Sequence, residues 1–73
     1  MMYLKTQVGN VEVSTVSLPF AHGLDLYETM VFDYQDAEVG AFTRRYQSYD
    51  EAEAGHKETV ELVEQSIREK NNV

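Results

Sequence analysis

Few side chains in this sequence can move a proton or hold a ligand near neutral pH. Two are histidines, His22 and His56, and there is no cysteine. His56 stands in the stretch AEAGHKETV, residues 52–60. An imidazole titrates close to neutrality, so a modest push from its surroundings makes it an acid, a base or a metal ligand. Glu28 is the natural carboxylate partner. It interrupts an otherwise apolar row in LDLYETMVF, and a carboxylate buried in such a row must be paired or hydrogen-bonded. Arg44 and Arg45 are successive strand residues, so one points inward and the other outward. Arg44 or Arg45, or His56 from the helix, could therefore meet Glu28 in one polar cluster.

Two histidines and a glutamate have the right chemistry for a divalent metal. Here they are scattered, with no recognisable ligand spacing. Neither a glycine-rich phosphate loop nor an H-E-x-x-H pattern is present. The sequence thus assigns no catalytic residue, no metal ligand and no cofactor, and reads as a non-enzyme. His56 keeps two readings, a buried neutral imidazole bonded to the sheet or a site histidine at the sheet–helix junction. Gly55 beside it is informative in either case. Glycine is roughly 1 kcal/mol worse than alanine inside a helix, so its place is explained if the helix must approach a strand closely.

The elements that position these residues follow from periodicity. Residues 3–18 alternate with period 2 and are rich in β-branched side chains, with Val11, Val13 and Thr15 on one face. Gly9-Asn10 suits a two-residue hairpin turn, which would make residues 3–8 a separate strand; a single strand with a bulge at Gly9 competes with it. Pro19 ends the strand, and LPFAHGLD is a loop. Residues 24–34 form the second main strand, with Leu24, Leu26, Glu28, Met30 and Phe32 on one face and Tyr27, Thr29 and Val31 on the other. QDAEVGA is a polar hairpin tip, and residues 42–49 are the third main strand.

A helix is expected over residues 50–70. Ser48 with Glu51, and Asp50 with Glu53, are overlapping capping boxes. Its apolar stripe is Ala52, His56, Thr59, Val60, Val63 and Ile67, with Leu62 on the flank. The remainder, including Glu51, Glu58, Glu61, Glu64 and Glu69, faces water. The fold class is α+β: a small antiparallel sheet of three or four strands with one C-terminal helix packed on one face. Residues 1–70 make one domain, and 71–73 a disordered tail. With one helix, the second sheet face has no cover from the chain, and Tyr27, Thr29 and Val31 are its expected interface residues.

The chain has 73 residues, thirteen acidic against six basic, for a net charge of −7. A domain this small buries only about 60% of its unfolded surface, so burial against a copy of itself or a partner is a natural support. Such acidity argues against direct nucleic-acid binding, which needs clustered cations. It leaves room for a protein partner, or for a mimic of nucleic acid built on the glutamate face. No apolar run approaches the ~20 residues of a membrane span. The start MMYLKTQV lacks the apolar core of a signal peptide, so a cytoplasmic location is expected.

Several short motifs occur together: STV-x-L at residues 14–18, a histidine-containing loop, YETMVF at 27–32, R-Y at 45–46 and EAEAGH at 51–56. In this order they resemble a family of small bacteriophage proteins of unknown function, over residues 11–63. The resemblance implies a phage accessory protein made in an infected bacterium. It also implies that Glu28, Arg45 and His56 form a shared polar cluster. The expected activity is that of a non-enzymatic interaction module, a homo-oligomer or the binder of a host or phage protein. A minor virion or assembly component and a ligand or metal site around His56 are the alternatives, besides the acidic mimic.

Overall fold

The computed structural model describes residues 3–19, 25–33 and 42–71. Four strands, β1 (Tyr3–Val8), β2 (Val11–Pro19), β3 (Asp25–Asp33) and β4 (Phe42–Tyr46), precede one helix, α1 (Tyr49–Asn71). Each strand pairs antiparallel with its neighbour in sequence, in the order β1-β2-β3-β4. This is the α+β architecture expected, with the larger of the two strand counts.

The hairpin reading of Gly9-Asn10 holds over the bulged one. Val8 pairs with Val11, so two residues make the turn, and Gly9 has φ 59°. Two-residue hairpin turns need such a left-handed residue to match the strand twist. β2 runs one residue further than expected because Pro19 sits at its very end, where a missing N–H costs little. β4 stops three residues earlier than expected. Its successors turn into the helix, where the Ser48 hydroxyl accepts from the Glu51 N–H at 3.2 Å and the Ser48 carbonyl from the Ala52 N–H at 3.0 Å. Ser48 with Glu51 is therefore the capping pair, and Asp50 lies within the first turn. Asn71, expected in a disordered tail, is helical. The expectations for the loop around His22, for the QDAEVGA tip and for residues 72–73 fall outside the described residues.

Strand register sorts the side chains into two faces. Thr6, Val13 and Val31 lie in one row; Leu4, Thr15, Thr29 and Arg44 in the next; Ser17, Tyr27 and Tyr46 in the third. The helix covers this face with its expected stripe. Ala52, His56 and Thr59 are buried, Val60, Val63 and Ile67 half-buried, and the five glutamates exposed. Leu62, on the flank, is exposed. Among the described residues, Val13, Tyr46 and Ala52 are the buried apolar side chains, whereas Thr15, Thr29, His56 and Thr59 are the buried polar ones.

The opposite, outer face carries Tyr3, Val16, Leu18, Leu26, Met30 and Phe32, with Lys5, Glu12, Glu28 and Arg45 among them. No described element packs on it. An uncovered face was expected, but its membership is the reverse of expectation. Tyr27, Thr29 and Val31 point at the helix: Thr29 is fully buried, Val31 lies beside Thr59 and Val63, and Tyr27 packs on the cluster of Tyr46 and Ala52.

Candidate functional site

His56 is fixed by a row of threonines. It sits one turn after Ala52 on the buried stripe and is 5% exposed. Its Nδ1 lies 2.7 Å from Thr15 Oγ1, and its Nε2 lies 2.8 Å from Thr6 Oγ1. Thr15 Oγ1 is in turn 2.5 Å from Thr29 Oγ1. Thr15 and Thr29 are direct cross-strand partners in the register, so the backbone ladder itself brings their hydroxyls together.

One arrangement of protons closes this network. Among the described residues, Thr15 is the hydrogen-bond partner of the Thr29 hydroxyl. Thr29 therefore donates to Thr15, Thr15 donates to Nδ1, and the imidazole carries its hydrogen on Nε2 and donates to Thr6. The reverse tautomer would turn the Thr15 hydroxyl toward Thr29 and strand the buried Thr29 hydrogen. A charged imidazole would do the same, since both of its nitrogens donate. Burial independently lowers the His56 pKa below its ordinary value of 6.5 by desolvating the charged form. The side chain is thus a neutral imidazole with both nitrogens engaged, and any ligand on either nitrogen must first break a threonine bond. Its Nε2 edge borders a cleft of about 390 Å³ lined by Leu4, Lys5, Thr6, Glu53, His56 and Lys57.

The neighbouring glycine answers to a different residue. A Cβ on Gly55 would overlap the ring and hydroxyl of Tyr46. Tyr46 rises from β4 against the helix backbone, and its buried hydroxyl has no hydrogen-bond partner among the described residues. Thr59 donates to the Gly55 carbonyl at 2.7 Å, adding a second bond to this turn. Gly55 therefore makes room for Tyr46 on β4, while the next residue, His56, engages β1 and β2.

The cluster read from sequence is divided by the sheet. Glu28 and Arg45 do pair, Oε2 to Nε at 3.0 Å, as direct partners across β3 and β4. They lie on the outer face, with the sheet between them and His56. Arg44, the inward arginine, reaches Glu58 at 3.3 Å and stands 5.5 Å from the centre of the Tyr46 ring. Sequence reading missed Thr6, Thr15 and Thr29. A signal was present: Thr15 and Thr29 each occupy the strand face opposite the charged residues, and hydroxyls satisfy a neutral imidazole without burying charge. Among the described residues, no group of three or more His, Asp or Glu is placed to hold a metal ion. Among them, too, no helix is long and apolar enough to cross a membrane.

No family model, curated protein or solved structure matches this chain.

Proposed function

We propose that the chain is a small bacteriophage accessory protein, working in the cytoplasm of the infected cell as a non-enzymatic protein-interaction module. The observation that carries this reading is the outer face of the sheet. Val16, Leu18, Leu26, Met30 and Phe32 lie there side by side with no described element above them, and a contiguous apolar patch of a few hundred Å² on a small protein usually marks a contact surface. The state of His56 supports the non-enzymatic part, because both ring nitrogens are already committed to threonines.

The test compares wild-type protein with a Met30→Ser, Phe32→Ser double variant. The variant should keep the circular dichroism of the folded chain but lose association. That loss is read by light scattering and by capture from infected-cell lysate. If the wild-type protein neither self-associates nor retains any protein that the variant releases, the reading fails.

A further inference from the structure

The outer face is apolar, but its charges are arranged in a pattern that selects one occupant. Lys5 and Glu12 pair at 2.9 Å where β1 meets β2. Glu28 and Arg45 pair at 3.0 Å where β3 meets β4. The register puts Glu12 in the row of Phe32, Lys5 in the row of Met30, and both Glu28 and Arg45 in the row of Val16. The two ion pairs therefore occupy diagonally opposite corners of the face. Tyr3, Val16 and Met30 run along the other diagonal, with Phe32 at its β3 end and Leu18 and Leu26 in the row beyond Glu28.

A face with this pattern is complementary to itself. A two-fold axis lying along the apolar diagonal sets that diagonal against its own copy. It also carries the Lys5–Glu12 corner of each chain onto the Glu28–Arg45 corner of the other. We infer that the outer face binds a second copy of this chain, forming a two-fold dimer in which Lys5 meets Glu28 and Glu12 meets Arg45 across the interface. The inference rests on the proposed role of this face as a contact surface, and names its partner.

Charge balance favours the same occupant. The whole chain carries −7, but the charged residues named on this face are two cations and two anions, so two copies can approach here without the repulsion that the glutamate side of the helix would impose. The cations stand out from the face, with Lys5 49% and Arg45 70% exposed, whereas Glu12 and Glu28 lie closer in at 12% and 13%. The strands of the two copies cross steeply, in the orthogonal class of sheet packing. Strand spacing and rise give a footprint of roughly 15 by 25 Å, at the small end of specific interfaces. The dimer is therefore expected to be weak and concentration-dependent.

The experiment exchanges the charges of one corner at a time. One variant carries Glu28→Arg with Arg45→Glu; the other carries Lys5→Glu with Glu12→Lys. Each keeps its pair within the chain and the face neutral, so each should fold. In sedimentation across a concentration series, the wild-type chain should dimerise and each variant alone should be monomeric, because like charges then meet at both corners. An equimolar mixture of the two variants should dimerise again, since opposite signs meet at every corner. A monomeric wild type, dimers of either variant alone, or a mixture that stays monomeric would each overturn the inference. A monomeric wild type that still holds a different protein through Met30 and Phe32 would overturn the dimer while leaving the interaction reading intact.

Discussion

The two faces of this sheet divide their chemistry in an unusual way. The face that the helix covers is lined at its centre by Thr15 and Thr29 and closed by His56, all buried polar groups. The face that no described element covers bears Leu18, Leu26, Met30 and Phe32. Hydroxyls and an imidazole confer little hydrophobic free energy, but they demand specific partners, and an unmet partner in the core costs about 1–3 kcal/mol. The inner face thus appoints one helix in one orientation. The outer face offers area instead, at about 25 cal/mol per Å² removed from water, and holds it for an association that supplies the cover.

The largest break in this contrast is His56→Ala. It opens a cavity and leaves the buried Thr15 hydroxyl without its acceptor, and a loss on the order of 3 kcal/mol is expected in urea unfolding. Total stability for a chain this size is on the order of 4–11 kcal/mol, so a near-unchanged midpoint would refute the network. Thr15→Val follows at about 1–3 kcal/mol, because it leaves Nδ1 without its donor. Thr6→Val should cost less, since Thr6 is only half-buried at the sheet edge.

Gly55→Ala is the comparable test of the helix contact with β4. Helix propensity favours it by about 1 kcal/mol, but the overlap with Tyr46 should turn the net effect unfavourable, by about 1–3 kcal/mol. In a Tyr46→Leu background the same change should become neutral or stabilising, and additivity of the two substitutions would contradict the close contact.

Acid separates the faces by a smaller effect. The His56 pKa is lowered in the folded chain from 6.5, by burial. Between the lowered value and 6.5, the unfolded chain binds a proton that the folded chain refuses. The contribution is therefore complete above pH 6.5, is lost as the pH falls through the folded value, and changes no further below it. The urea midpoint of the wild type should fall across that window more steeply than that of His56→Gln. Smallest of all, for the single chain, is Phe32→Ser on the outer face, at about 1 kcal/mol or less, with its main effect on association.

Much of this division can be read from the amino-acid order, but one decisive step cannot. Alternation over Val11, Val13 and Thr15 and over Tyr27, Thr29 and Val31 defines the two sets correctly, because side-chain direction has period 2. The Ser48 cap and the stripe from Ala52 to Ile67 place the helix to within a residue, and Gly9-Asn10 fixes the first turn. Which set the helix covers is a tertiary matter. Apolar bulk on Leu26, Met30 and Phe32 argues for burying that set, and Glu28 then looks like the partner of His56. The deciding requirement is a partner: an inward Glu28 would lie among buried hydroxyls with no cation beside it, whereas on the outer face Glu28, itself only 13% exposed, pairs directly with Arg45, whose side chain stays 70% exposed. Gly55 was legible as a close approach, but the identity of Tyr46 across it depends on where β4 ends.

The turn at Gly9 carries a further consequence, for errors in folding. With φ 59°, Gly9 holds Val8 opposite Val11 and thereby sets every later pair of β1 against β2. A slip of one residue would turn each β1 side chain to the other side. Thr6 would leave His56, Lys5 would turn toward the helix, and Glu12 would lose its cation. Such a chain would fail at the imidazole and at the outer ion pair together, so two distant contacts proofread a single turn.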